Sequence, residues 1–233
     1  MSLIASNLQA VNTRIQAALG RAFTGGRRAV MLVTVSKTRP PELIREAHAA
    51  GQRAFGESYV QEALAKIAAL ADLDIEWHFI GPIQGNKARL IAQHFSWAHG
   101  VDRLKIAEAL SRHRPAGHPP LNICIQVNIS GEASKGGVRP GEALNLARQV
   151  ASLPHLRLRG LMAIIENTTE PLAQHAQFRM LRELARRVTD AGIPLDTLSM
   201  GMTQDFESAI EEGSNMVRIG SAIFGKRDTK QSP

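Results

Sequence analysis

Two patterns of apolar and polar residues, one typical of strands and one typical of helices, alternate along this chain from one end to the other. Short segments rich in β-branched residues are typical of strands, and segments with apolar residues three and four positions apart are typical of helices. The first helix is predicted over residues 1–20. Its apolar face is made of Ile4, Leu8, Val11, Ile15, Ala18 and Leu19.

Eight strand segments follow, and helical segments separate most of them. The predicted strands cover residues 30–37, 53–57, 75–81, 96–102, 121–130, 156–164, 195–202 and 215–220. Helices are predicted over residues 40–50, 59–71, 87–95, up to about 114, 140–153 and 170–191, with a further one after Thr203. Strands that alternate with helices form parallel sheets, and eight such units close into a barrel. We therefore expect an α/β protein, a (β/α)8 TIM barrel with an extra N-terminal helix.

The length and composition agree with that fold. The chain has 233 residues, and barrels of this type run to about 250. Hydrophobic residues make up 44%, which is ordinary for a globular protein. Because no linker or repeat divides the sequence, residues 1–233 are expected to form one barrel domain, with 226–233 as a flexible tail.

The composition also limits the cellular compartment and the kinds of partner that we expect for this protein. The apolar runs are short, so we expect no membrane span, and the N-terminus lacks the basic start and apolar centre of a signal peptide. Cys124 is the only cysteine, so a reducing cytoplasm is expected, and its apolar neighbours predict a buried packing role. The net charge of +7 is spread along the chain without interleaved aromatic residues, so no nucleic-acid partner is expected. His, Cys and carboxylates show no metal-ligand spacing, so no metal is expected.

Unusual polar residues cluster where the predicted strands end, and these loops carry the chemistry of such barrels. The positions are Lys37, Glu57, Ser58, 84–87, 128–135, Thr203, Gly220 and Ser221. Lys37 ends an apolar stripe that contains Val33 and Val35, so it is expected to point into the barrel. Desolvation would lower the pKa of its amine, and a neutral amine can form a Schiff base. A lysine that extends to water or pairs with a carboxylate remains the alternative.

The last two loops have the features of an anion site. Thr203 precedes a predicted helix and is expected to be its N-cap, while Gly220 and Ser221 follow the last strand. Barrels often bind phosphate with these loops, although ordinary capping and turn chemistry would use the same residues.

Arg218 is the most discriminating residue, because strand alternation turns it inward with Met216, away from Val217 and Ile219. A buried guanidinium needs a partner. The partner is either a carboxylate such as Glu57 or the ring nitrogen of a bound cofactor.

Seven motifs then give a specific resemblance. They are VSKTRP, FGESYVQEAL, EWHFIGPIQGNK, QVNISGEASKGGV, LRGLMAI, LSMGMTQDFESAI and MVRIGSAIFG, in order from about residue 33 to residue 225. They resemble the motifs of the pyridoxal phosphate homeostasis protein family, which is related to the N-terminal barrel domain of alanine racemase.

The resemblance implies one molecule of pyridoxal 5′-phosphate (PLP), held as a Schiff base on Lys37 with Arg218 beside the pyridine nitrogen. It implies a cofactor site made of Lys37, Ser58, Met202, Thr203, Arg218, Gly220 and Ser221, with the phosphate near the last two loops. Lys135 matches a lysine with a proposed part in cofactor transfer. Ser58 stands where the family usually has Asn, and its shorter side chain cannot make the same contact.

The implied function is vitamin B6 homeostasis: the protein sequesters the cofactor and supplies it to apo-enzymes that depend on PLP. No catalytic residue is assigned, because an Arg partner cannot accept a proton from the ring nitrogen and so weakens the ring as an electron sink. A weak amino-acid racemase remains the alternative, but racemases of this fold take a second base, a Tyr, from a further domain of a partner subunit. Tyr59, the only tyrosine, lies in the second loop. Without such a domain a monomer is expected.

Other readings are weaker. A Schiff-base aldolase without cofactor would also use Lys37, and a nucleic-acid binder is suggested by charge alone. His78 is interpreted as a hydrogen-bonded barrel histidine, Asp205 and Glu207 as the acidic first turn of a helix, and Asn86 as a helix cap.

Overall fold

The structure, a computed structural model, describes residues 2–22, 29–132 and 135–225. Its strands are β1 Met31–Val35, β2 Ala54–Glu57, β3 Glu76–Phe79, β4 Trp97–Val101, β5 Leu121–Gln126, β6 Leu156–Met162, β7 Thr197–Ser199 and β8 Met216–Ile219. They form a closed barrel of parallel neighbours, in which β1 also pairs with β8.

Helices lie between the strands and outside the barrel. They are α1 Leu3–Arg21, α2 Pro41–Ala49, α3 Val60–Ala69, α4 Ala88–His94, α5 Leu104–His113, α6 Ala143–Ala151, α7 Pro171–Asp190, α8 Phe206–Glu211 and α9 Ser221–Phe224, with a 3₁₀ turn at Gly85–Lys87. The predicted barrel with an extra N-terminal helix is confirmed. Residue 1, residues 23–28, residues 133–134 of the fifth loop and the predicted tail 226–233 lie outside the described residues.

Strand alternation separates the barrel interior from the layer beneath the helices. The outward residues of β8, Val217 and Ile219, belong to the large core shared with the helices. The inward residues form a separate cluster of Val33, Ala54, Trp97, Cys124, Met162 and Met216. Arg218, two residues after Met216, is buried on the same inward face. The predicted orientation of β8 is therefore confirmed.

The N-terminal helix supports the last two units of the barrel. The buried face of α1 contains five of its six predicted apolar residues. Asn7 donates to the Ile223 carbonyl of α9 at 2.9 Å, and Arg14 donates to Glu207 of α8 at 2.7 Å. Because α8 and α9 follow β7 and β8, α1 holds the two loops that were predicted to bind phosphate. No helix in the described part of the chain is long and apolar enough to cross a membrane.

Two predicted helix caps are wrong. Helix α8 begins at Phe206 with Asp205 as its N-cap, so Thr203 is not the cap. The Asp205 carboxylate accepts from the Met202 N–H instead, which closes a turn in front of the helix and displaces the predicted start. Asn86 lies inside the 3₁₀ turn rather than at a cap.

The fifth predicted strand is shorter than expected. It ends at Gln126 instead of continuing to residue 130, because the backbone turns to pair Val127 with Val138. The Asn128 side chain then organises the loop by donating to the Glu132 and Lys135 carbonyls.

Replacing Gly160 should break a contact between strands. A Cβ there would lie 1.7 Å from the Thr197 carbonyl oxygen on β7, so Gly160→Ala forces the two backbones apart. We expect the free energy of unfolding to fall by about 3 kcal/mol or more, the upper end for overpacking. Gly20→Ala is the control, since its Cβ meets nothing within 4 Å and should stabilise α1 by about 0.5–1 kcal/mol. Urea unfolding measures both, and similar values for the two variants would contradict the contact.

Candidate functional site

A cavity of about 440 Å³ opens at the end of the barrel where the strands finish. This volume lies within the range of about 300–1,000 Å³ for small-molecule sites. All the site residues predicted from the sequence line it: Lys37, Ser58, Lys135, Met202, Thr203, Arg218, Gly220 and Ser221. The polar residues Asn128, Glu57 and those at 84–87 are not among its lining residues. Widely separated parts of the sequence thus meet in one pocket.

The two residues beside Lys37 are each bonded to a carboxylate. The Ser36 hydroxyl donates to Glu57 at 2.6 Å, and the Thr38 N–H donates to Glu62. Thr38 has a φ of 64°, a left-handed conformation that β-branched residues rarely adopt. The bond to Glu62 therefore stabilises a backbone turn that the residue type disfavours.

Lys66 of α3 connects those two carboxylates. Its ammonium donates to Glu57 at 2.8 Å, to Glu62, and to the Ser36 carbonyl at 2.7 Å, so all three N–H donors are used. Lys66 is only 4% exposed, and Glu57 is fully buried. Burial raises the pKa of Glu57, and the Lys66 charge acts against that shift. This Lys66 cluster, made of Lys66, Glu57, Glu62 and Ser36, fixes the segment that carries Lys37.

Arg218 is held by neutral oxygens. Its Nη1 donates to the carbonyl and the hydroxyl of Ser199 at 2.6 and 2.7 Å, and Nη2 donates to the Ala163 carbonyl at 3.0 Å. Burial lowers the pKa of Arg218 to about 10, so it stays charged at neutral pH. Of the two partners considered for Arg218, Glu57 is not bonded to it, because the bonds of Glu57 go to Ser36 and Lys66. The Nε of Arg218 makes no hydrogen bond within the described residues.

The loops after β7 and β8 bring two hydroxyls together. The Ser221 hydroxyl donates to the Thr203 hydroxyl at 3.2 Å. Gly201 has a φ of 98°, and a Cβ there would lie 2.7 Å from the Ala209 Cβ, so only glycine fits beneath this turn. A Cβ at Gly220 would approach the Val35 carbonyl to 3.0 Å, so glycine also allows the close approach of the loop to β1.

Lys135 reaches the cavity from the opposite side. Its ammonium donates to Glu132 at 2.6 Å and to the Ile165 carbonyl at 2.9 Å. Ile165 lies after β6, so Lys135 joins the fifth and sixth loops. The side chain is 23% exposed.

Two interpretations of buried residues are confirmed. His78 is hydrogen-bonded inside the barrel, to Glu76 at 2.7 Å and to His99 at 3.0 Å. Cys124 is fully buried, and burial raises the pKa of its thiol to about 12, so it is packing rather than a reactive group.

Sequence reasoning missed several residues. Glu166, Asn167 and Gln204 line the cavity although they were not proposed. Glu166 and Asn167 follow the sixth strand, the same signal that identified the other loops. Lys66 lies three residues after Ala63 on the buried face of α3, and a lysine among apolar positions was the available signal.

Comparison with known proteins gives the family. The model of the alanine racemase N-terminal domain family matches residues 6–228. A pyridoxal phosphate homeostasis protein of Pseudomonas aeruginosa is 60% identical over 230 residues, covering 98% of this chain and 97% of the relative. One from Escherichia coli is 51% identical over 236 residues, with 98% of both chains covered.

The chain belongs to the pyridoxal phosphate homeostasis protein family. A solved structure, that of PipY of Synechococcus elongatus with PLP bound, is 36% identical with a TM-score of 0.84, covering 95% of this chain and all of that one. Its structure without PLP has a TM-score of 0.85 at 37% identity. An alanine racemase of Clostridium difficile shares the fold at 11% identity, with a TM-score of 0.72 over 94% of this chain and 58% of that one.

The Lys66 cluster predicts a large loss of stability when its cation is removed. Lys66→Met leaves Glu57 buried beside Ser36 without its counter-charge, and breaking a buried pair costs about 3–5 kcal/mol. Urea unfolding should show this loss. Lys66→Met combined with Glu57→Gln should recover part of it. Exposed Lys105→Met is the control and should change the free energy of unfolding by less than about 0.5 kcal/mol. If Lys66→Met changed the free energy of unfolding no more than the control does, the Lys66 cluster would be ruled out as a support of the segment that carries Lys37.

Proposed function

We propose that this protein binds one PLP in the 440 Å³ cavity, holds it through Lys37, and serves intracellular vitamin B6 homeostasis. The observation that carries the proposal is that Lys37, Arg218 and the hydroxyls of Thr203 and Ser221 all line one cavity. Relatives that cover nearly the whole chain are named for this function, and PipY has been solved with PLP bound.

When bound, PLP supplies an aldehyde that condenses reversibly with a primary amine to a Schiff base, with loss of water. Lys37 offers the amine, and the Lys66 cluster fixes the backbone on both sides of it. The hydroxyls of Thr203 and Ser221 offer hydrogen bonds to a phosphate, together with the backbone near Met202 and Gly220. Ser58 lines the same cavity, and its side chain is too short to replace an Asn contact.

We further propose that the protein is a carrier and has no strong catalytic activity. Arg218 keeps its proton at neutral pH and can only donate, so a ring nitrogen beside it would stay unprotonated and the ring would be a weak electron sink. A racemase also needs a second base opposite Lys37. Tyr59 is 56% exposed and is not among the lining residues that the structure describes.

Lys135 is proposed to act in release. It is the second lysine of the cavity wall, and its contacts with Glu132 and Ile165 keep the amine at the rim. The proposed recipients are apo-enzymes that use PLP. We propose a monomer as the working form, and the single buried Cys124 is in keeping with a reducing cytoplasm.

Loss of Lys37 should abolish covalent attachment. Wild-type protein mixed with PLP should turn yellow, and borohydride followed by peptide mass spectrometry should find the cofactor on Lys37. Lys37→Ala should stay colourless and unmodified under the same conditions, whereas Lys105→Ala, on the exposed face of α5, should behave as wild type. Equal stoichiometric attachment to another lysine in Lys37→Ala would contradict the assignment.

Racemase activity should be close to background. Incubation of PLP-loaded protein with L-alanine in D₂O should give almost no deuterium at Cα, because the described lining residues include no tyrosine to act as the second base and the electron sink is weak. Proton NMR of the alanine measures the exchange, with an alanine racemase as the positive control. Exchange at a rate similar to that of the control would overturn the carrier proposal in favour of the racemase.

A further inference from the structure

A continuous line of hydrogen bonds crosses the interior of the barrel from the cavity to its opposite end. Its members are Arg218, Ser199, His99, His78 and Glu76, from β8, β7, β4 and twice from β3. The four links measure 2.7, 2.9, 3.0 and 2.7 Å in that order. The three central side chains are fully buried, whereas the Glu76 side chain, at the first residue of β3, is 41% exposed.

The carboxylate end allows only one direction for these bonds when both histidines are neutral. A guanidinium only donates, and an ionised carboxylate only accepts. Ser199 Oγ accepts from Arg218, and because each neutral histidine donates on the Glu76 side, Ser199 gives its own proton to His99 Nδ1. His99 then carries its proton on Nε2 and donates to His78 Nδ1. His78 likewise carries its proton on Nε2 and donates to Glu76.

The surroundings of the line keep both histidines neutral. Burial lowers the pKa of both His78 and His99, and the bond from His78 lowers the pKa of Glu76, so the carboxylate is ionised. Trp97 stacks on His78 with ring centroids 5.4 Å apart. Arg159, paired with Asp196, lies 4.8 Å from the Trp97 ring, and the Cys124 thiol is protonated.

We propose that Glu76, His78, His99 and Ser199 are positioning residues for Arg218. The carboxylate at the far end of the barrel fixes the tautomers of both histidines, and through the Ser199 hydroxyl it fixes the guanidinium. This orientation commits Nη1 to Ser199 and leaves Nε for a ligand in the cavity. The effect on a bound ligand rests on the proposed PLP site. The predicted histidine tautomers are independent of that proposal.

The ligand-free protein tests the direction of the line. We expect ¹⁵N NMR of labelled histidine at neutral pH to show His78 and His99 as Nε2–H tautomers. Glu76→Gln should add a second tautomeric species, because an amide both donates and accepts. Glu108→Gln on exposed α5 is the matched control and should leave the spectrum unchanged. Nδ1–H on His99 of the wild type, or a Glu76→Gln spectrum identical to wild type, would overturn the proposal.

The loaded protein tests the effect on Arg218. His99→Leu breaks the line, and we expect its PLP absorption band to shift in the same direction as in Arg218→Lys, with binding about tenfold weaker, as for loss of one buried hydrogen bond. His99→Gln should restore most of the band and the affinity, because an amide can accept from Ser199 and donate to His78. Ser199→Ala is a second, smaller break and should shift the band in the same direction.

These outcomes separate the two proposals. A wild-type protein that takes up no PLP refutes the proposed function, and the tautomers still decide whether the line exists. If PLP binds and Arg218→Lys shifts its band while both His99→Leu and Ser199→Ala leave it unchanged, the positioning role is refuted and the function stands. A loss of stability in His99→Leu without a shift in the band would count as a purely structural role, against the proposal.

Discussion

The fold and the site both depend on burying the guanidinium of Arg218 inside the barrel. A charge removed from water must recover its lost hydration through polar contacts, and no carboxylate in the described part of the chain is hydrogen-bonded to Arg218. Carbonyls at the ends of β6 and β7 and the Ser199 hydroxyl supply those contacts instead. Because they come from neighbouring strands, the same bonds that satisfy the charge also fix how the strands end around the cavity.

A second buried cation, Lys66, fixes the part of the cavity wall that carries Lys37. Lys66 is paired with Glu57 and bonded to the Ser36 carbonyl, so it fixes the start of the loop that carries Lys37. Helix α1 adds a third constraint by binding α8 and α9 from outside. The walls of the cavity are therefore held by bonds that do not involve any ligand, which favours a pocket formed before binding.

The sequence predicts the features that follow from local periodicity. Strand alternation correctly turned Arg218 inward, and every other residue proposed for the site lies in a segment that follows a strand. The partners of these residues were beyond reach, because His99 and Ser199 are 100 residues apart and meet only when the barrel closes. Thr203 failed as an N-cap for a related reason. Several residues near a helix start can cap it, and the choice of Asp205 depends on a turn with Met202 that composition does not encode.

The direction of the hydrogen bonds around Arg218 also suits a site that would store a cofactor rather than use it in catalysis. Catalysis on PLP gains from a group that shares a proton with the ring nitrogen, and a carboxylate serves that purpose. Arg218 holds its proton. In the proposed line each hydrogen bond is donated away from the cavity, towards the Glu76 carboxylate, so no group of the line donates a proton to the cavity. Such an arrangement would suit the proposed reversible attachment to Lys37, which needs only an amine and a phosphate anchor, and it would withhold the proton that strengthens the ring for carbanion chemistry.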